Sequence, residues 1–142
     1  MSLISGEKYL LDTNILVYSV NREAPEHVRV EELIKKGLHA GSSFVVAHQN
    51  LLEFIAVLTR AYGIAPPRAL SDAHAFASVF EVISPLPTTF QTFTQLVQKI
   101  KRPSYPFDAY LAATMFDNAV RRIITNNAKD FQPFGLDEII VP

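Results

Sequence analysis

The chain has no cysteine, no apolar run long enough to cross a bilayer and no excess of positive charge. The first absence excludes disulfides and thiolate metal sites. The second leaves no candidate transmembrane helix. The third matters for partners: with a formal charge of -1 and a pI near 6.4, the whole molecule cannot hold a polyanion by net charge. Any contact with nucleic acid must use a local basic patch. Met1 to Lys8 lacks the apolar centre of a signal peptide, so a soluble, cytoplasmic protein is expected. Repeats and low-complexity tracts are absent too.

What is present suits one domain over 1–142. The length is 142 residues and 49% of them are hydrophobic, enough for a sizeable core. Strand-like and helix-like segments alternate. Tyr9 to Leu11, Ser43 to Val46, Phe80 to Ser84, Arg122 to Thr125 and Ile139 to Val141 read as short strands. Between them, helices are expected at Asn14 to Val20, at Pro25 to Lys36 with Gly37 as its cap, and at His48 to Tyr62, ended by Gly63. Further helices are expected at Pro67 to Val79, from Thr88 with Gln91 completing a capping box, and at Phe107 to Val120. In the helix after Thr88, Phe93, Leu96, Val97 and Ile100 form the expected buried stripe. Strands separated by helices predict an α/β fold, a central parallel sheet wound on both faces.

In such sheets ligands bind beyond the carboxyl ends of the strands. LLDTNILVY places Asp12 directly after the first strand, where a bare buried charge is costly. Thr125-Asn126-Asn127-Ala128-Lys129-Asp130 follows the fourth strand in the same way, so Asp12 and Asp130 meet if these strands are neighbours. Two more carboxylates have apolar flanks within helices: Glu53 in LLEFI, and Asp108 in the first turn of PFDAYLAA. Each has an ordinary reading. Asp12 can cap a helix, Asp108 can serve the helix dipole, Glu53 can be solvated and Asp130 can belong to a turn. Together they ask for one explanation. Two like charges at 4 Å repel by about 4 kcal/mol at an effective dielectric near 20, so protons or cations must neutralise the group. An all-oxygen donor set without thiols favours Mg²⁺ or Mn²⁺.

The segments LLDTNIL, LLEFIAVL, FDAYLAATM and ITNNAKDF, in that order and at those separations, resemble the PIN domain and, within it, the VapC-type ribonuclease toxins. The resemblance spans nearly the whole chain. It implies a three-layer α/β/α sandwich, a Mg²⁺- or Mn²⁺-dependent endoribonuclease leaving 5′-phosphate and 3′-hydroxyl ends, a homodimer, and a small antitoxin that blocks the site. Residue by residue, Asp12, Glu53, Asp108 and Asp130 match the acidic quartet. Asn14 matches the polar support of the first aspartate, and Thr125 matches the Ser/Thr after the late strand. Some members carry an aspartate where this chain has Asn126-Asn127, so the fourth carboxylate is either Asp130 or is replaced by an asparagine oxygen.

Further expectations concern partners. Lys101, Arg102, Arg121, Arg122 and Lys129 are candidates for RNA phosphates, and Tyr105 and Phe107 for base stacking. The helices over 25–36 and 48–62 are expected to form the antitoxin groove, and those over 67–79 and 88–100 the dimer face. Other functions compete: a PIN-like nuclease in RNA processing or on structured DNA, a metal-dependent phosphatase, and a catalytically idle protein-binding scaffold. The phosphatase chemistry starting from such an aspartate wants a second one two residues on, where Asn14 stands.

Overall fold

The computed structural model describes residues 3–100 and 106–142. Five strands form one sheet: β1 (Lys8–Leu11), β2 (Ser43–Ala47), β3 (Glu81–Ile83), β4 (Arg122–Ile124) and β5 (Glu138–Ile140). Their order is β3-β2-β1-β4-β5 and every pairing is parallel. The helices are α1 (Thr13–Val20), α2 (His27–His39), α3 (His48–Arg60), α4 (Pro66–Val79), α5 (Thr89–Gln98), α6 (Pro106–Asp117) and the short α7 (Ala128–Phe131), which a 3₁₀ turn extends over Gln132–Phe134.

Alternation along the strands builds two cores. Tyr9, Leu11, Phe44, Val46, Ile124 and Ile140 face α1 to α4, meeting Ile15, Leu16, Val30, Phe54 and Leu58. Leu10, Val45, Ala47, Ile83 and Ile123 face the other way, against Ala109, Leu111, Ala112 and Met115 of α6 and Phe131 and Phe134 behind it. Because both faces are covered, the strands beyond their polar first residues are apolar rather than alternating in polarity. The small side chains of Ala109, Ala112 and Ala113 are fully buried, which lets α6 approach the sheet closely. This is the α/β/α sandwich expected from the alternating pattern.

Several local expectations are corrected. Gly37 does not cap α2: it lies inside the helix, where an added Cβ would stand 2.4 Å from the Phe44 ring and 2.6 Å from Leu3. It is there for close approach. Thr88 makes no side-chain cap to α5. Instead the hydroxyls of Thr88, Thr89 and Thr92 all donate to Asp117 at the end of α6, at 2.8 to 3.0 Å, and clamp the two helices together. Val97 is exposed, whereas Phe93, Leu96 and Ile100 pack against the second core. α6 stops at Asp117, and Ala119 turns the chain with a φ of 58°. α4 and α5, expected to form one dimer face, lie in opposite layers. α1 packs against both α2 and α3.

Candidate active site

The strand order defines where a crevice opens. From β1 the chain winds outward through β2 to β3, then returns to the other side of β1 for β4 and β5. The reversal point lies between β1 and β4, and a ligand crevice forms beyond the strand ends there. Asp12 follows β1 and Thr125 follows β4. The register Leu11↔Ile124 sets the two residues side by side, and the Thr125 hydroxyl donates to Asp12 Oδ2 at 2.7 Å.

Asp12 serves two purposes at once. Its backbone is extended (φ -68°, ψ 162°) and its Oδ1 accepts the Thr13 N–H at 2.8 Å, so it caps α1. It is also 7% exposed and opens onto a cleft. Burial pushes its carboxyl up; the bonds from Thr125 and Thr13 oppose this, and the charges of Glu53 and Asp130 add to it. The same side chain therefore caps α1 and lines the cleft.

Asn50 organises the next layer. Completely buried at the start of α3, its Oδ1 accepts the Ala47 N–H at 3.0 Å. Its amide donates toward Asp12 Oδ1 (3.4 Å) and Thr13 Oγ1 (3.3 Å). The Thr13 hydroxyl passes on to Glu53 Oε2 at 3.0 Å. Glu53, one turn along the same helix, is half-buried at the cleft wall. Asn14 reaches across to the β4 side: its Oδ1 accepts the Asn126 N–H at 3.1 Å, with longer contacts of 3.5 Å from its amide to Asp12 and Thr125.

Asp108 closes the cleft from the opposite layer, in the first turn of α6. Its carboxyl is pushed up to about 6, first by burial, then by the charges of Asp12, Asp130 and Glu53. A first-turn acid stabilises a helix dipole, but that cannot be its whole role, since its surroundings oppose its charge. Asp130 is exposed on α7, near enough to act on both Asp12 and Asp108. The cleft wall on that side is Asn127.

The cleft measures about 290 Å³ and is lined by Asp12, Thr13, Asn14, Val17, Tyr18, Glu53, Val57, Tyr62, Asp108 and Asn127. No lysine or arginine is among them. The donor set is all oxygen, and the acids carry charge that no lining cation offsets, which suits a hard divalent ion such as Mg²⁺ or Mn²⁺. The carboxylates surround the space without converging on one point: among the described residues, no three His, Cys, Asp or Glu side chains form a ready-made cluster.

Sequence reasoning passed over Asn50, Gln49, Thr13 and Tyr18. For Thr13, Gln49 and Asn50 the available signal was position: a polar residue in the first turn of a helix that directly follows a buried strand has backbone donors and the strand-end pocket within reach, whereas Tyr18, later in α1, carries no such signal. The expected basic patch is corrected. Arg121 and Arg122 sit at the opposite edge of the sheet, where Arg122 meets Glu7, Asp137 and Glu138, and Arg121 bonds Asp137 at 3.0 Å and covers the Phe116 ring. Lys129 is exposed on α7, beside Asp130. Lys101, Arg102 and Tyr105 lie outside the described residues.

The PIN domain family model matches residues 9–133, and the chain belongs to that family. No curated protein matches its sequence. Among solved structures, it is similar to a DNA-bound VapBC from Salmonella typhimurium (TM-score 0.71, 23% identity, covering 95% of this chain and 98% of that one). It is also similar to VapBC2 from Rickettsia felis bound to a DNA fragment from its promoter (0.64, 22%, 95% and 97%). A third is VapC20 of Mycobacterium tuberculosis, a sarcin-ricin loop cleaving toxin (0.64, 20%, 81% and 86%).

Proposed function

We propose that this PIN-domain protein is a metal-dependent endoribonuclease and the toxin of a type II toxin–antitoxin pair. The observation that carries the reading is the uncompensated charge at the strand-order reversal. Asp12, Glu53 and Asp108 line one cleft, Asp130 stands at its margin, and burial and mutual repulsion push Asp108 up to about 6. A fold pays this electrostatic cost to attract cations.

Asp12, Glu53 and Asp108 would hold Mg²⁺ or Mn²⁺, with Asp130 at the margin. When bound, the ion lowers the pKa of a water and stabilises charge on the phosphate. The protein supplies the rest. Thr125 and the Thr13 N–H hold Asp12 in one rotamer. Thr13 holds Glu53. Asn14 and Asn127 line the same cleft, where their amides would meet a substrate phosphate. The open, polar cleft admits a polymer and the water for in-line hydrolysis. No nucleophile–base pair is needed.

The likeness to VapBC structures supports an antitoxin partner. A second groove of about 200 Å³ continues from the cleft through Val17 and Tyr62 to Val20, Leu58, Ile64 and Arg68. An antitoxin segment seated there would reach the acids with a basic side chain. The deciding experiment is cleavage of an RNA with and without Mn²⁺, with Asp108→Asn as control. Cleavage that ignores both the ion and the substitution refutes the reading. Hydrolysis of a phosphomonoester but not RNA would favour a phosphatase, and hydrolysis of neither together with no Mn²⁺ binding would leave a scaffold.

A further inference from the structure

Two helices from distant parts of the chain wall the acidic cleft, and one side chain joins them. Gln49 lies in the first turn of α3. Its amide nitrogen donates to Glu53 Oε1 at 3.0 Å and to the main-chain carbonyl of Phe107 at 2.8 Å. Glu53 is one turn further along α3, while Phe107 immediately precedes Asp108 in the first turn of α6. The two hydrogens of a single amide thus reach an acid of one wall and the backbone that carries an acid of the other.

An i,i+4 pair on a helix surface is common and weak. What sets this one apart is the second bond, which spans 58 residues of sequence. The chemistry of the donor is equally telling. Glu53 and Asp108 are like charges on separate helices and repel each other. A lysine or arginine between them would hold the walls together but cancel the charge that a cation needs. A carboxamide holds them without cancelling it. With Thr13 on Oε2, each oxygen of Glu53 has one neutral donor and keeps a lone pair free.

We propose that Gln49 is a positioning residue of this site, a neutral strap that sets the distance between Glu53 and Asp108 so that both face the same cation. The inference rests on the functional reading above. Gln49→Met keeps the length and volume of the side chain and removes both donors. Its expected signature is an apparent Mn²⁺ affinity about tenfold weaker by calorimetry, the size usual for losing a group that orients a metal ligand. kcat on RNA falls in parallel while KM and the melting temperature hold. Amide hydrogen exchange at Tyr110 and Leu111 speeds up, because the first turn of α6 loses its tie to α3. Gln49→Lys restores donors with a charge: exchange protection returns while Mn²⁺ affinity stays low.

Wild-type Mn²⁺ affinity and kcat in Gln49→Met overturn the proposal, as does a Gln49→Lys protein that binds Mn²⁺ normally. A wild-type protein that binds no Mn²⁺ and cleaves no RNA is a failure of the functional reading instead. In that case exchange at α6 still judges the strap: unchanged rates in Gln49→Met refute it, and faster rates support it.

Discussion

The two ends of the sheet carry similar acids in opposite circumstances. At the amino ends of the strands, Glu7, Glu81, Asp137 and Glu138 meet Lys8, Arg121 and Arg122 at 3.0 to 3.8 Å. Arg122 has only 16% of its side chain exposed and faces three carboxylates. At the carboxyl ends, Asp12, Glu53 and Asp108 line a cleft with no cationic side chain in its wall. The first end has the cations it needs within the chain, and its acids are structural. The second lacks them, so its balance must come from a proton or from an ion in solution. The contrast separates acids paired within the chain from acids whose cleft wall holds no cation.

The contrast breaks most sharply at Asp12. Asp12→Asn is expected to reduce metal-dependent RNA cleavage to background and abolish Mn²⁺ heat in calorimetry, while the melting temperature stays level or rises, because a buried charge is removed. Arg122→Met should do the reverse. It leaves Glu7 and Glu138 without their cation, while Asp137 keeps Arg121, and costs about 2 kcal/mol in denaturant unfolding, less than a fully buried pair because the acids are partly solvated. Cleavage should be unchanged; a loss of activity would mean that the basic cluster takes part in the site after all. Asn50→Ala falls between them. It leaves the Ala47 N–H without its side-chain acceptor and Thr13 without a donor, costing about 1–2 kcal/mol and lowering activity together with stability.

The smallest effect is one of pH. Asp108 has a folded pKa of about 6 against an ordinary value of 3.8. The unfolded chain therefore releases this proton first, and the favourable contribution is whole below about pH 4 and lost as pH rises through 6. Metal-free protein should lose roughly 1 kcal/mol over that window, since the half-exposed group is screened by solvent. Asp108→Asn should flatten the slope, and saturating Mn²⁺ should reverse it, both read by chemical denaturation across pH.

The elements were legible because their signals are local. Apolar runs such as Tyr9 to Leu11, the Pro-Pro start of α4 and the Gly63 turn are carried by neighbouring residues. The placement of Asp12 past a buried strand was legible for the same reason. The role of Gly37 was not, since glycine near a helix end suits a cap and only the Phe44 ring above it shows otherwise. Likewise Thr88 and Gln91 have the spacing of a capping box, but Asp117 on another helix takes the hydroxyls. Arg122 lies close in sequence to Thr125, yet the strand between them carries the two to opposite ends of the sheet.

By itself the sequence determined the alternation of strands and helices, the apolar faces that cover the sheet, and the delivery of acids to the ends of apolar segments, because propensity and periodicity act over a few residues. Tertiary structure alone decided that β4 pairs with β1, that Thr125 therefore reaches Asp12, and that Gln49 meets the start of α6. Parallel pairing joins segments more than a hundred residues apart, and no local pattern encodes which strands become neighbours.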